Sequence, residues 1–195
     1  MIYLMKMVMT MIHIRSSVFE TNSSSTHSIC IPKKTKSTVN FVDFEIGEFG
    51  WENESVDPAS YLYTAILDAY DYDEAQEKIA ELTDILNAHN IAYKLEKPKW
   101  YISDYDGNKY LDDGYVDHAD EVLEFVETVL SDEDMLIRFL SEGLVYTGND
   151  NQDEQPNRCN IANEYFYDYN KDGNEIEIPN PYHDKENYEY FYKGN

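Results

Sequence analysis

The chain has 195 residues, of which 42% are hydrophobic, and its formal net charge at pH 7 is −24. This length fits one domain, with two small domains as the less favoured alternative, and the apolar fraction is sufficient for a packed core. The negative charge argues against nonspecific nucleic-acid binding, because such binding needs Lys and Arg to neutralise phosphates. The same charge favours a basic protein partner, with solubility alone as the plainer explanation.

The charge is distributed unevenly along the chain. Residues 1–40 hold five Lys and Arg against one Glu, whereas the rest of the chain holds 10 basic and 38 acidic side chains. The two cysteines, Cys30 and Cys159, do not make a disulfide framework. The apolar start of the chain is too short for a membrane span and lacks a signal-peptide cleavage site. We therefore expect a cytoplasmic protein without a membrane partner, and we interpret residues 1–10 as an upstream extension of a frame that starts at Met11.

Hydrophobic periodicity predicts the elements of the amino-terminal half. Strands are expected over residues 7–14, 27–31, 39–46 and 91–96. Asp57 followed by Pro58 marks a helix start, because Asp caps the first free amides and Pro suits the first turn. That helix is predicted to run to about Tyr70, and a second helix from near Asp73 to His89.

Two Asp-Gly dipeptides predict β-hairpins in the carboxy-terminal half. They are Asp106-Gly107 and Asp172-Gly173. The second lies in an Asp-x-Asn-x-Asp-Gly sequence, which is the first half of an EF-hand calcium loop, but Pro179 stands where a bidentate Glu is needed. We therefore expect a hairpin turn at this position, and we expect neither a metal site nor a cofactor.

Helices are also predicted over residues 118–130 and 131–140, and the second should stop at Gly143. Together the elements predict an α+β fold, a mainly antiparallel sheet with about four helices. We expect a single domain over residues 11–181, followed by an acidic aromatic tail at residues 182–195 that is weakly ordered unless it docks.

Residues 15–28 differ from the rest of the chain, because Ser, Thr, Asn, Glu, His and Arg dominate a segment that lies between two apolar strands and contains neither Gly nor Pro. Ordinary loops use Gly and Pro, so we predict a segment held by the scaffold for binding or catalysis. The candidate substrate-binding residues are Arg15, Asn22, Ser23, Ser24, Ser25 and Thr26. His27 is the candidate catalytic acid–base group and Glu20 its carboxylate partner. The alternative is an ordered hairpin loop whose polar side chains satisfy their own backbone.

The same segment resembles the amino-terminal signature of a family of small phage and mobile-element proteins. The signature is Arg-x-x-Val-Phe-Glu-Thr-Asn-Ser-Ser-Ser-Thr-His-Ser, and residues 15–28 carry it in full. The resemblance covers under a tenth of the chain. It implies a phage or mobile-element setting inside a host cell, and it implies no particular activity.

Two functions from different classes follow from these observations. The first is an acidic protein that binds and inhibits a basic host protein, such as a nuclease or its nucleic-acid-binding cleft, in the style of anti-CRISPR or anti-restriction inhibitors. Carboxylates interleaved with Tyr can imitate the phosphates and bases of nucleic acid. The alternative is an enzyme that acts on a phosphate-bearing substrate, a nucleotide or RNA, through Arg15, Glu20, the Ser and Thr hydroxyls and His27. A virion-assembly component is a third, less favoured hypothesis.

Overall fold

The computed structural model describes residues 25–52, 54–149, 158 and 160–193. The strands are β1 (Ser25–Pro32), β2 (Phe41–Phe44), β3 (Glu48–Phe49), β4 (Glu54–Val56), β5 (Ala92–Leu95), β6 (Trp100–Ile102), β7 (Lys109–Leu111), β8 (Tyr115–Val116), β9 (Leu144–Asn149), β10 (Tyr165–Tyr169), β11 (Glu175–Pro179) and β12 (Tyr188–Lys193). The helices are α1 (Pro58–Ala69), α2 (Tyr72–Ala88), α3 (Leu123–Ser131) and α4 (Glu133–Glu142). These helices and the mainly antiparallel strands confirm the predicted α+β class.

β1 is an interior strand of the largest sheet, whose spatial order is β12-β1-β9-β4. All three pairings in this sheet are antiparallel. The register places Cys30 between Tyr190 of β12 and Leu144 of β9. All 8 residues of β1 are buried, which a strand tolerates when the ladders on its two edges satisfy its backbone polar groups.

The remaining strands form four separate pairs. β6 pairs with β7 and β10 with β11 as antiparallel hairpins, which confirms the two predicted Asp-Gly turns. Gly107 and Gly173 adopt φ values of 75° and 76°, a backbone conformation that side chains disfavour and glycine accepts. β2 pairs with β5 and β3 with β8 in parallel.

Acidic residues cap two of the helices that the sequence predicts, α1 and α4. The Asp57 carboxylate accepts from the amide of Ser60 at the start of α1, at 2.9 Å. Asp132 does the same at α4, where its Oδ1 lies 3.0 Å from the amide of Met135. α4 ends at Gly143, as predicted. Local capping therefore fixes these boundaries before any tertiary contact is considered.

The segment predicted as a helix over residues 118–130 departs from the expectation at its start. Ala119–Val122 is a 3₁₀ turn, and α3 begins only at Leu123. His118 has a left-handed φ of 55° and its side chain makes no capping hydrogen bond. The first turn therefore lacks the side-chain acceptor that would start a regular helix at that position.

The hydrophobic core surrounds α1, of which 10 of 12 residues are buried. Phe125 of α3 links this helix to the rest of the core. Its ring centroid lies 6.2 Å from that of Tyr61, 5.1 Å from that of Phe139 and 5.5 Å from that of Phe191. None of the helices in the described ranges is long and apolar enough to cross a membrane.

The segment that the sequence assigns to a tail supplies β12, which pairs with β1 from His27 to Pro32. Phe191 of this strand packs against the core. Arg138 of α4 holds the same edge, with its guanidinium 2.5 Å from the carbonyl oxygen of Pro32 and 3.0 Å from the Glu189 carboxylate. The predicted strand over residues 7–14 and the interpreted extension at residues 1–10 lie outside the described residues.

We expect the free energy of unfolding to fall with rising pH because of Cys30. Burial raises the pKa of its thiol from 9.0 to about 12, so between these values the unfolded chain loses a proton that the folded chain keeps. The folded state then loses about 1.4 kcal/mol per pH unit in this window. Urea unfolding of the wild type and of Cys30→Ala across this pH range measures the difference in slope. Equal pH slopes in the two proteins would contradict the assignment, whatever the variant's absolute stability.

Candidate functional site

The structure shows where three of the predicted site residues lie. Ser25, Thr26 and His27 belong to β1 and are fully buried. The other predicted members, Arg15, Glu20, Asn22, Ser23 and Ser24, lie outside the described residues. The described strand includes Ser25 and Thr26, which the sequence places before it, so the end of the polar segment is part of the central sheet.

Strand alternation divides these polar residues between the two faces of the sheet. Ser25 and His27 face α1, since the His27 ring contacts the ring of Tyr61 at a centroid distance of 5.7 Å. Ser28 faces the opposite side, where its Oγ accepts a hydrogen bond from the amide of Ala162 at 3.2 Å. Thr26 shares that second face. The hydroxyls of the segment therefore do not converge on a single point.

A chain of hydrogen bonds joins Ser25, His27 and Tyr61. Ser25 Oγ lies 2.8 Å from His27 Nε2, and the Tyr61 hydroxyl lies 2.7 Å from His27 Nδ1. Burial raises the pKa of the Tyr61 phenol far above its ordinary value, so this hydroxyl keeps its proton. In this order Ser25 would be the nucleophile, His27 the base and Tyr61 the group that orients the base.

The proton positions decide what this chain of hydrogen bonds can do. If the Tyr61 hydroxyl donates to Nδ1, the neutral imidazole carries its proton on Nε2 and donates to Ser25 Oγ. In the other tautomer Nδ1 donates to Tyr61, and Nε2 is free to accept the proton of Ser25. Both tautomers fit the two distances, and they differ in function: in the first, His27 holds Ser25 in place, and only in the second does it act as a base toward Ser25.

Gly50 closes over the Ser25–His27 pair. Its φ is 141°, and a Cβ at this position would lie 3.2 Å from His27 Nε2, 3.3 Å from Ser25 Oγ and 2.5 Å from the Cβ of Asp117. Only glycine fits so close an approach of backbone to side chain. The loop is held by the amide of Asp117, which donates to the carbonyl oxygen of Phe49 at 2.8 Å.

Thr26 is the polar residue of the segment that the fold leaves unsatisfied. Its Oγ1 is buried and has no hydrogen-bond partner within the part of the chain that the structure describes. Leaving a buried hydroxyl unpaired costs about 1–3 kcal/mol. This hydroxyl, unlike that of Ser28, is therefore not used by the main chain.

A second candidate surface is a groove between α2 and the turn that joins α3 to α4. The groove has a volume of about 750 Å³. Its rim carries four exposed carboxylates, and its floor is partly apolar, with Ile85 and Leu130 among the lining residues. The rim carboxylates are Glu77, Glu81, Asp84 and Glu133. Three of them share one face of α2 because their spacing follows the helical turn.

Sequence reasoning missed Tyr61 and Gly50. Tyr61 lies 34 residues from His27, and nothing in its helical spacing distinguishes it from a core residue. At position 50 only glycine permits the close packing seen here. The glycine in the acidic loop after β3 was therefore the one sequence signal for a close approach of the backbone at this site. Within the described ranges, no three His, Cys, Asp or Glu side chains are placed to hold a metal ion.

Comparison with known proteins identifies no relative of this chain. No family model matches the chain, and no curated protein or solved structure matches it significantly.

We expect Tyr61→Phe to lower the free energy of unfolding by about 1–2 kcal/mol, because the variant keeps the ring in the core but removes the hydroxyl that bonds to the buried His27 Nδ1. The measurement is the midpoint of urea unfolding at unchanged denaturant slope. Tyr105→Phe is the control, since Tyr105 is 92% exposed and loses only a solvated hydroxyl. Equal midpoints for the two variants would show that the His27–Tyr61 hydrogen bond does not stabilise the fold.

Proposed function

We propose that this chain is a phage or mobile-element protein that binds and inhibits a basic, nucleic-acid-handling protein of the host cell. The observation that carries the proposal is the charge of the described residues, which hold 35 Asp and Glu against 13 Lys and Arg. The resemblance of residues 15–28 to the phage signature supports the setting. The fold contributes by holding these carboxylates on fixed helices, hairpins and turns.

Most of the negative charge has no internal counterpart. Even if every described Lys and Arg paired with a carboxylate of its own, 22 carboxylates would be left over. Several cations are already engaged, with Lys78 at 2.7 Å from Glu127 and Lys94 at 2.9 Å from Asp43. An uncompensated field of this size speeds association with a basic surface and weakens as salt is added.

Exposed tyrosines are interleaved with the carboxylates. Tyr101 and Tyr105 belong to the β6–β7 hairpin, whose turn also holds Asp104 and Asp106. A phenol ring has a flat face, like a base, so the partner's side chains that stack on bases can stack on it. A carboxylate can accept the hydrogen bonds that the partner otherwise donates to a phosphate. The combination supports a surface that competes with nucleic acid for a basic cleft.

The proposal predicts inhibition that depends on salt and on competitor DNA. We expect the full chain to slow DNA cleavage by at least one restriction or RNA-guided nuclease at about 50 mM salt, and to lose most of this effect by about 200 mM. Added noncleavable DNA, in the single- or double-stranded form that the nuclease binds, should relieve the inhibition, because both ligands occupy the same cleft. Polyglutamate of equal total charge is the control for a general effect of anions. The proposal fails if no nuclease is bound or inhibited at low salt, or if polyglutamate inhibits equally well.

A second candidate function is the enzyme that the polar segment suggests. The observation that favours it is the 2.8 Å hydrogen bond between Ser25 and His27, because in one tautomer it places a base beside a hydroxyl. Arg15 would then hold a phosphate of a nucleotide or RNA and Glu20 would assist His27. Gly50 lies against both Ser25 and His27, so a substrate that approached from this side would have to displace the Gly50 loop.

The enzyme hypothesis predicts that turnover of nucleotides or RNA depends on His27 and not on Ser28. If the chain turns over such substrates, His27→Gln should lower the rate at least about a hundredfold. Ser28→Ala, which changes a hydroxyl on the opposite face of the same strand, should retain the rate. Mass spectrometry of the products provides the measurement, and circular dichroism checks that both variants fold. Unchanged turnover in a triple alanine variant of Arg15, Glu20 and His27 would exclude this function.

A further inference from the structure

The hairpin of β10 and β11 with its turn, here called the tyrosine arm (residues 165–179), is exposed on both faces. Of its ten strand residues only Phe166 is buried. A two-stranded hairpin is at best marginally stable in water unless a third strand or a helix covers its apolar side. Exposed apolar surface on such an element indicates an interaction site.

One face of the arm is a ladder of tyrosines. Strand alternation puts Tyr165, Tyr167 and Tyr169 on the same face, with exposed fractions of 41%, 64% and 68%. In the antiparallel register Tyr167 stands opposite Glu177, and Tyr169 stands opposite Glu175. Phenol rings and carboxylates are therefore cross-strand neighbours, at a Cβ separation of about 4.5–5.5 Å.

The opposite face is also accessible. It carries Ile176 and Ile178, which are 40% and 37% exposed, and Asp168 stands opposite Ile176. The same face also holds the buried Phe166, which stands opposite Ile178, so this face is partly packed while its two isoleucines stay partly exposed. Both faces have apolar surface that a partner could cover.

The base and the tip of the arm are held in place by hydrogen bonds. At the base, the amide of Asn180 donates to the carbonyl oxygen of Glu164 at 2.9 Å. The side chain of Asn180 also donates to two carbonyl oxygens, that of Asn160 at 3.1 Å and that of Asn163 at 2.9 Å. At the tip, the Asn170 carbonyl oxygen Oδ1 accepts from the amides of Asp172 and Asn174. The arm is thus preorganised, which lowers the entropy that binding must overcome.

The charge of the arm selects among partners. Residues 165–179 carry four carboxylates and a single cation, Lys171. A second copy of the arm, a nucleic acid or an anionic membrane would meet charge of the same sign and be repelled. A surface rich in Arg and Lys is complementary to both the rings and the carboxylates.

We propose that the tyrosine arm docks into the basic, base-stacking groove of a protein that binds single-stranded nucleic acid. Such grooves combine Lys and Arg with aromatic platforms. Arg guanidinium groups stack on Tyr167 and Tyr169, and Glu175 and Glu177 accept their hydrogen bonds, in the places that bases and phosphates would take. This inference rests on the proposed function, to which it adds the docking element and the kind of cleft.

The test compares two triple variants of the full chain that keep its net charge. The arm variant is Tyr165→Ser, Tyr167→Ser, Tyr169→Ser. The control variant is Phe41→Ser, Trp51→Ser, Tyr182→Ser, which removes three aromatic side chains that are also exposed but lie outside both hairpins. Fluorescence anisotropy with labelled oligoarginine and oligolysine peptides of equal length measures binding, and thermal unfolding checks the fold of each variant.

We expect the wild type and the control variant to bind oligoarginine several-fold more tightly than oligolysine, because the planar guanidinium stacks on phenol rings better than ammonium does. The arm variant should bind oligoarginine about tenfold more weakly and lose the preference. Equal affinities for the two peptides in the wild type, or an unchanged preference in the arm variant, would overturn the inference. So would concentration-dependent dimerisation of the wild type that the arm variant lacks, measured by sedimentation.

The nuclease assay separates this inference from the proposed function. If nucleases are inhibited and the arm variant inhibits as well as the wild type, the tyrosine arm is not the docking element and the inhibitor function stands. If no nuclease is inhibited while the arginine preference depends on the arm, the arm is a docking element and the inhibitor function fails.

Discussion

The burial of β1 inside the central sheet is the constraint on which the rest of the described structure depends. A strand with neighbours on both edges and buried side chains on both faces has to satisfy most of its polar groups within the protein, and the Thr26 hydroxyl is the exception among its described residues. Ser25 and His27 do so through each other and through Tyr61, and Ser28 does so through the amide of Ala162. The same strand positions β12 and β9, and through Tyr61 it orients α1 at the centre of the core.

The acidity of the chain has a structural part and a surface part. Some carboxylates are used by the fold itself, as when Asp57 and Asp132 cap helices and Asp68 accepts from the amide of Val116 at 2.8 Å. The larger number lies on exposed helix faces and turns, where high solvent dielectric keeps the mutual repulsion small. The surface part is the one that bears on function, because it is available to a partner.

The two functional hypotheses make different demands on this architecture. A catalytic role for His27 requires access to a fully buried strand and the tautomer in which Nε2 accepts the proton of Ser25. A binding role requires only that rigid elements present carboxylates and apolar side chains to a partner, and the tyrosine arm and the groove beside α2 both meet that requirement. The geometry therefore supports binding better than catalysis.

The amino-acid sequence by itself determined the features that depend on neighbours along the chain. The starts of α1 and α4 follow from Asp57 and Asp132, and the two hairpins follow from Asp106-Gly107 and Asp172-Gly173, because capping and turn geometry involve residues only a few positions apart. The tertiary structure alone decided the long-range pairings. Nothing local indicates that the chain's last strand joins β1, that Tyr61 meets His27, or that Gly50 closes over Ser25. These contacts depend on which buried surfaces meet when the sheet and helices pack together, so the place of the polar segment inside the fold became visible only with the folded chain.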